Sequence, residues 1–138
     1  MRFWDSSALV PLLVEEHETD ELLALYPHQG VIAWWGTQVE CASALARLER
    51  AGELEVEDAT TAFQRLRELA RAWHLIEPTD LVKESATRLL RTHDLRAADS
   101  LQLAAALVAA EQRPTSLEFV CRDRRLAISA QREGFPVL

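Results

Sequence analysis

Four acidic residues stand where strands are predicted to give way to helices, and together they could bind a divalent cation. They are Asp5, Glu40, Asp99 and Asp123. Carboxylates that converge repel one another, so without a cation some of them would have to be protonated. Oxygen ligands favour Mg²⁺, or Mn²⁺ as a substitute, and the sequence has no set of His and Cys residues with zinc-site spacing. The chemistry that this cluster suggests is metal-assisted hydrolysis of a phosphodiester.

Asp99 is the most unusual of these acids because an almost entirely apolar segment follows Ser100. From residue 101 to residue 110 the sequence is dominated by Ala and Leu, which are strong helix formers. A helix without a polar face is typical of the middle of a fold. A carboxylate at the start of such a helix has to be paired, hydrogen-bonded or bound to a metal, because a bare buried charge is too costly.

Short strands and helices alternate along the chain. The pattern predicts strands at 2–4, 31–33, 74–77, 118–121 and 136–138, a turn at 27–30, a helix that begins near residue 8, and helices at 20–26, 37–50, 57–73, 80–92, 95–110 and 124–132. Such alternation predicts an α/β fold with a parallel sheet and helices on both faces. Ligands of these sheets bind beyond the carboxyl ends of the strands, so we expect the acids to meet at that edge.

Length and composition favour an ordinary globular protein. The 138 residues are 49% hydrophobic and 27% charged, which fits one domain spanning residues 1–138. No apolar run reaches the roughly 20 residues of a membrane span, and Asp5 comes too early for a secretory signal. Two cysteines make no disulfide framework. We therefore expect a cytoplasmic protein with no membrane partner.

The net charge does not decide whether the chain binds nucleic acid. A value of −7 disfavours a polyanionic partner when it is spread over the surface, but a cation-binding acid cluster contributes to it, and local arginines can still contact phosphates. The candidates for such contacts are Arg47, Arg96, Arg122 and Arg124. Arg122 and Arg124 flank Asp123 together with Arg125, and a solvated helix start explains these three as well as phosphate contact does.

Each acid also has a simpler explanation when it is considered alone. Acidic residues at a helix start cap free N–H groups and interact favourably with the helix dipole. The case for a site depends on the four acids occurring together, with no lysine next to any of them.

Four segments look like the acidic motifs of PIN-domain ribonucleases, in the same order and with similar spacing. They are FWDSSALV at 3–10, VECASAL at 39–45, LRAADSLQLA at 95–104 and FVCRDRRL at 119–126. The resemblance covers essentially the whole chain, and the most similar branch is that of the VapC toxins of toxin–antitoxin pairs. It implies a PIN-like three-layer α/β/α domain with a central, mostly parallel sheet.

The resemblance further implies a Mg²⁺-dependent endoribonuclease that forms a homodimer and is neutralised by a small antitoxin protein. Its metal-binding and catalytic residues would be the four acids named above, with Ser6 or Ser7 supporting them through hydrogen bonds. Two positions depart from the family pattern. Cys121 stands where a Thr is common and is a weaker hydrogen-bond partner, and Thr37 is the candidate for a hydroxyl that the family often places shortly before the Glu.

Two other classes of function use the same residues. A nuclease directed at DNA or at flap structures would need the same acids, whereas a non-catalytic module would use the cluster only to bind RNA or a basic protein segment. Trp34 and Trp35 could line a groove for a partner helix or stack on a base, although packing of at least one of them in the core is the simpler interpretation.

Overall fold

The structure, a computed structural model, describes residues 1–26 and 30–138. Most of the turn predicted at 27–30 therefore lies outside the described residues. Four parallel strands form one sheet in the described part of the chain, in the order β3-β2-β1-β4. They are β1 (Arg2–Trp4), β2 (Val31–Trp34), β3 (His74–Ile76) and β4 (Phe119–Val120).

Helices cover both faces of the sheet. They are α1 (Ser6–Leu9), α2 (Thr19–Leu25), α3 (Thr37–Arg50), α4 (Val56–Ala70), α5 (Asp80–Thr92), α6 (Ala97–Ala109) and α7 (Arg124–Glu133), with 3₁₀ turns at Val10–Leu12 and Pro114–Ser116. None of the helices in the described residues has both the length and the hydropathy to span a membrane.

Two hydrophobic cores lie on opposite sides of the sheet because successive strand residues point to opposite faces. Phe3 is fully buried in the core that contains α5, α6 and α7, whereas its neighbour Trp4 is buried in the core of α1, α3 and α4. Burying a large apolar side chain contributes about 1.5–3 kcal/mol. The two cores therefore fix the position of β1, and with it the position of the residue that follows.

Helix α6 is the central helix that its sequence predicts. Every residue from Gln102 to Leu107 is buried, and the helix packs most extensively against α5 and β2. Its burial on all sides explains why the segment has no polar face. Asp99 lies in its first turn, where the helix emerges from the core.

Three predicted boundaries differ from the structure. The helix predicted at 57–73 ends at Ala70, and Trp73 lies beyond it, buried, with its Nε1 donating to the hydroxyl of Tyr26 at 3.2 Å. The strand predicted at 118–121 is only two residues long. The final strand predicted at 136–138 is reduced to one bridge between Phe119 and Val137, because Pro136 has no N–H to donate to a ladder.

The helix stop at Gly134 agrees with the prediction. This residue has a φ of 105°, in the left-handed region, and its N–H bonds the last carbonyls of α7. Glycine adopts this conformation without the steric cost of a Cβ.

Candidate functional site

The four predicted acids come from different elements, and the structure gathers them into one electrostatic cluster. Asp5 directly follows β1 and caps α1, and Asp123 follows β4 and caps α7. Glu40 lies in the first turn of α3, just after β2, and Asp99 lies in the first turn of α6. The pKa of Asp5 responds to the charges of Glu40 and Asp99, and that of Asp99 responds to Asp123.

Asp5 is the most buried of the acids, with 3% of its surface exposed. Its backbone N–H donates to the carbonyl of Val120 at 3.0 Å, which continues the pairing of β1 with β4. Burial raises the pKa of Asp5 from an ordinary 3.8 to about 6, against the lowering effect of hydrogen bonds from Ser7; the charges of Glu40 and Asp99 add to the rise. The fold therefore holds this carboxylate where its charge is unfavourable.

Glu40 is held by donors from two other helices. Ser6 Oγ of α1 donates to its Oε2 at 3.0 Å, and Gln102 Nε2 of α6 donates to the same oxygen at 2.9 Å. Burial is the main cause that raises the pKa of Glu40, and the charge of Asp99 raises it further, whereas the two hydrogen bonds lower it. Hydrogen bonds to the charged form stabilise it, so these donors partly offset the cost of placing a carboxylate here.

Three of the acids share a feature that bears on cation binding: the protein bonds only one oxygen of each. Within the described residues, hydrogen bonds reach Oδ2 of Asp5, Oε2 of Glu40 and Oδ1 of Asp123. The other oxygen of each carboxylate has no protein partner there. In the described residues, Gln102 Oε1 is the single side-chain atom that is fully enclosed and lacks a partner, so these three carboxylate oxygens are not fully enclosed. Each carboxylate thus has one fixed oxygen and one that reaches solvent.

Asp99 and Asp123 line a cleft of about 490 Å³ that has an arginine rim. Arg96, Arg124 and Arg125 line the same cleft. Burial raises the pKa of Asp99, and the nearby charge of Asp123 adds to this; the backbone N–H of Arg96 and the charges of Arg96 and Arg125 oppose it. The cleft therefore combines negative charge at its floor with positive charge around it.

Ser7 connects Asp5 to the loop that carries Asp123. Its N–H and its hydroxyl both donate to Asp5 Oδ2, and its Oγ accepts from the N–H of Arg122 at 2.8 Å and of Asp123 at 3.1 Å. Of the two serines expected to support the site, Ser6 thus contacts Glu40 and Ser7 contacts Asp5.

Cys121 occupies the position where the resemblance leads one to expect Thr. Its thiol lies 3.9 Å from Asp5 Oδ2 and accepts a hydrogen bond from the N–H of Asp123 at 3.3 Å. Burial, together with the charge of Asp5, raises the pKa of Cys121 to about 12. The thiol remains protonated at neutral pH, and the Ser7 hydroxyl makes the shorter contacts with Asp5 Oδ2 and with the N–H of Asp123.

The chemistry of the acid cluster fits a hydrated Mg²⁺ ion better than a fully enclosed ion. Within the described residues, no three His, Cys, Asp or Glu side chains are arranged so that together they could hold a metal ion. Mg²⁺ usually keeps several waters and binds through one or two carboxylates. In the same part of the chain none of the four acids forms an ion pair with Arg, Lys or His, so their mutual repulsion is left for a cation to relieve.

The predicted substrate-binding arginines fall into three groups. Arg96 and Arg124 line the cleft, and Arg125, the third arginine that flanks Asp123, lines it with them. Arg47 lines a separate cavity, to which Ser7 also contributes. Arg122 points elsewhere: it bonds the carbonyls of residues 121 and 138 and the carboxylate of residue 21.

Sequence reasoning did not identify Gln102 as a functional candidate. Its side chain is fully buried and bonds both Thr37 and Glu40. Thr37, expected as a supporting hydroxyl, is also fully buried and accepts from the Gln102 amide at 3.0 Å. The available signal was a single amide within an otherwise apolar helix segment.

The two adjacent tryptophans have different environments. Trp34 is 6% exposed and packs in the core of α5 and α6, whereas Trp35 is 53% exposed. Trp35 lines a cavity of about 470 Å³ together with Val39, Phe63 and Leu75. Core packing of one tryptophan, the simpler of the two interpretations, therefore applies to Trp34.

Neither a family model nor a curated protein matches the sequence. Solved structures do resemble the fold. A toxin–antitoxin complex from Klebsiella pneumoniae is 19% identical, with 100% of this chain and 96% of that chain covered and a TM-score of 0.66. FitAcB from Neisseria gonorrhoeae is 17% identical, with 100% and 96% covered and a TM-score of 0.65. PAE2754 from Pyrobaculum aerophilum is 22% identical, with 93% and 83% covered and a TM-score of 0.60.

These similarities concern the fold. Together with the parallel sheet and its two helical layers, they confirm the PIN-like three-layer α/β/α architecture predicted from the sequence.

Proposed function

We propose that this protein is a Mg²⁺-dependent endoribonuclease and the toxin of a VapBC-type toxin–antitoxin pair. The observation that carries the proposal is the set of three carboxylates, on Asp5, Glu40 and Asp123, each fixed through one oxygen and free at the other. They lie beside an arginine-rimmed cleft that also contains Asp99. This arrangement suits the binding of a cation by the carboxylates and of a substrate phosphate by the arginines.

The four acids are the residues that would hold Mg²⁺, or Mn²⁺ in its place. When bound, the metal supplies Lewis-acid chemistry: it makes water more acidic and neutralises charge on the phosphodiester. The protein's own contribution is to fix the carboxylates. Ser7 orients Asp5, and Ser6 orients Glu40, through the hydrogen bonds that they donate.

The arginines of the cleft would bind the substrate backbone. Arg96, Arg124 and Arg125 place guanidinium groups beside Asp99 and Asp123, so that phosphates adjacent to the cleaved one can be bound through charge and hydrogen bonds. Because guanidinium groups bind phosphate without contacting bases, these residues would supply affinity rather than sequence preference.

An antitoxin and a second copy of the chain are the protein partners in this proposal. Support for the antitoxin comes from the fold neighbour described as a toxin–antitoxin complex, and support for both partners comes from the motif resemblance. Co-expression with the product of an adjacent small gene, followed by co-purification, tests the first. The mass of the purified protein in light scattering tests the second.

The decisive experiment is cleavage of a panel of cellular RNAs by purified protein with Mg²⁺, with Mn²⁺ and with EDTA. The Asp99→Asn variant is assayed beside Asp58→Asn. Asp58 is a matched control because it occupies the third position of α4, as Asp99 does in α6, and is exposed. We expect cleavage that requires the metal, survives in Asp58→Asn and falls at least a hundredfold in Asp99→Asn.

Matched RNA and DNA strands separate the competing classes. Preferential cutting of DNA would replace the ribonuclease by a DNA-directed nuclease with the same acids. Folded protein that binds RNA but leaves every strand intact, with or without metal, would contradict the enzymatic proposal and favour a binding module.

A further inference from the structure

Gln102 links the two helices that carry Glu40 and Asp99. It follows Asp99 by one turn of α6 and is fully buried. Its Nε2 donates to Thr37 Oγ1 at 3.0 Å and to Glu40 Oε2 at 2.9 Å, so both hydrogens of the amide are used on α3. The central helix therefore carries one acid of the cluster and fixes another.

The other end of this amide has no hydrogen-bond partner. Within the described residues, Gln102 Oε1 is the only enclosed side-chain nitrogen or oxygen in that state. Buried acceptors are normally paired, and an exception calls for an explanation. Rotating the amide by half a turn would direct Oε1 at the carboxylate of Glu40, where two acceptors would repel each other. The unpaired oxygen is therefore the consequence of directing the N–H groups at Glu40.

Two donors from different helices bond the same oxygen of Glu40. Ser6 Oγ approaches Oε2 from α1, and Gln102 Nε2 approaches it from α6. Because no described residue bonds Glu40 Oε1, these two contacts to Oε2 determine where the free oxygen of Glu40 lies. A residue that fixes a ligand in this way raises metal affinity by restricting the ligand's orientation.

We infer that Gln102 is a positioning residue for divalent-cation binding, which acts by fixing Oε2 of Glu40 so that Oε1 is available to the ion. The inference rests on the proposed nuclease function, since it concerns the same site. It adds a residue that lies in none of the acid positions and cannot itself contact the substrate, because it is fully buried.

The test compares Gln102→Met with Gln64→Met, which changes an exposed Gln of α4 in the same way. Met nearly matches the length of Gln but donates no hydrogen bond to Glu40, and it removes the unpaired oxygen. We expect Mn²⁺ affinity, measured by calorimetry, to fall about 10–100-fold in Gln102→Met. We also expect kcat for RNA cleavage to fall with KM unchanged, and the thermal midpoint to stay close to that of the wild type. Gln64→Met should behave as the wild type in all three measurements.

Ser6→Ala provides a second variant in case Gln102→Met does not fold, because Ser6 is only partly buried and donates to the same oxygen. We expect it to weaken Mn²⁺ binding as well. Unchanged binding in folded Gln102→Met would overturn the inference, and if Gln102→Met does not fold, unchanged binding in Ser6→Ala would do so. A wild type that binds Mn²⁺ and cleaves RNA while Gln102→Met does both equally well refutes the inference alone. A wild type that does neither refutes the proposed function, and the inference with it.

Discussion

Ser7 holds the backbone of Asp123 in place, although 116 positions separate the two residues along the chain. The Ser7 hydroxyl accepts the N–H of Asp123 at 3.1 Å while it donates to Asp5. One hydroxyl thus connects the acid after β1 to the acid after β4. The spacing of these two carboxylates depends on a side chain as well as on the pairing of their strands.

Replacing Ser7 by Ala should weaken both the fold and the site. The N–H of Arg122 would lose its hydroxyl acceptor, and that of Asp123 would keep only the Cys121 sulfur. A buried donor left unpaired costs about 1–3 kcal/mol. We expect the free energy of unfolding in urea to fall by that amount, together with Mn²⁺ affinity. Ser116→Ala is the control, because the Ser116 hydroxyl bonds only within its own turn. Equal urea midpoints for the wild type and Ser7→Ala would contradict this role.

The pKa of Asp5 predicts how stability depends on pH when no metal is present. Because the folded-state pKa is about 6 and the ordinary value is 3.8, the folded protein binds a proton more tightly than the unfolded chain between these values. The free energy of unfolding should therefore decrease as pH rises from about 4 to about 6. The penalty at neutral pH is about 3 kcal/mol.

Urea unfolding in EDTA across this pH range checks the prediction. Asp5→Asn cannot ionise, so its slope should be shallower than that of the wild type, and Asp58→Asn should keep the wild-type slope. If Asp5→Asn loses stability with pH as steeply as the wild type does, the pH dependence originates elsewhere.

Arg122 and Arg124 should behave differently although they are close in sequence. Arg122 is only 18% exposed in its side chain and bonds Glu21 at 3.0 Å and the carbonyl of Leu138 at 2.9 Å. Arg122→Ala should lower the free energy of unfolding by about 1 kcal/mol, since its partners stay accessible to water. Arg124→Ala, at an exposed residue of the cleft, should raise KM for RNA and change stability by less than about 0.5 kcal/mol. Steady-state kinetics and urea unfolding distinguish the two effects. A raised KM in Arg122→Ala together with lost stability in Arg124→Ala would contradict the roles given to the two arginines.

Glu133 should contribute stability that is lost in acid. Burial raises its pKa, but hydrogen bonds from His93 and Arg88 outweigh burial and hold the pKa below the ordinary 4.5. A carboxyl with a lowered folded-state pKa stabilises the fold above its unfolded value, and the contribution disappears as pH falls through the folded value.

Thermal midpoints between pH 3 and pH 7 measure this contribution. Glu133→Gln should lower the midpoint at neutral pH and lose less stability on acidification than the wild type. Glu84→Gln, at an exposed residue of α5, should leave both unchanged. A neutral-pH midpoint that is the same in Glu133→Gln and in the wild type would show that the contact between α5 and α7 contributes nothing.

Local signals in the sequence were sufficient to predict the layers of the fold. Apolar segments and helix caps are set by nearby residues, so α6 and the stop at Gly134 follow from the chain itself. The end of α4 did not follow, because Trp73 is held by Tyr26 of a distant segment. The strand expected at 136–138 is reduced to a single bridge with Phe119, because Pro136 has no N–H with which to extend the ladder.

The acids of the candidate site and the serines that bond them could be named from the sequence, but the contribution of Gln102 could not. Asp5 and Asp99 stand at helix starts that are visible in the pattern, whereas the bond from Gln102 to Glu40 spans 62 positions. Arg122 illustrates the same limit: its neighbours in the sequence leave a phosphate contact and a solvated helix start both open, whereas in space it bonds the carbonyl of Leu138 and the carboxylate of Glu21.

The adjacency of β1 and β4 in the sheet has a consequence for how the protein is made. Phe3 pairs with Phe119, and the last acid of the cluster follows that pair. Contacts this distant along the chain form late, because the intervening loop has to close first. A ribosome that stops before residue 123 releases a product without the complete cleft. The assembled site therefore exists only after translation has passed residue 123.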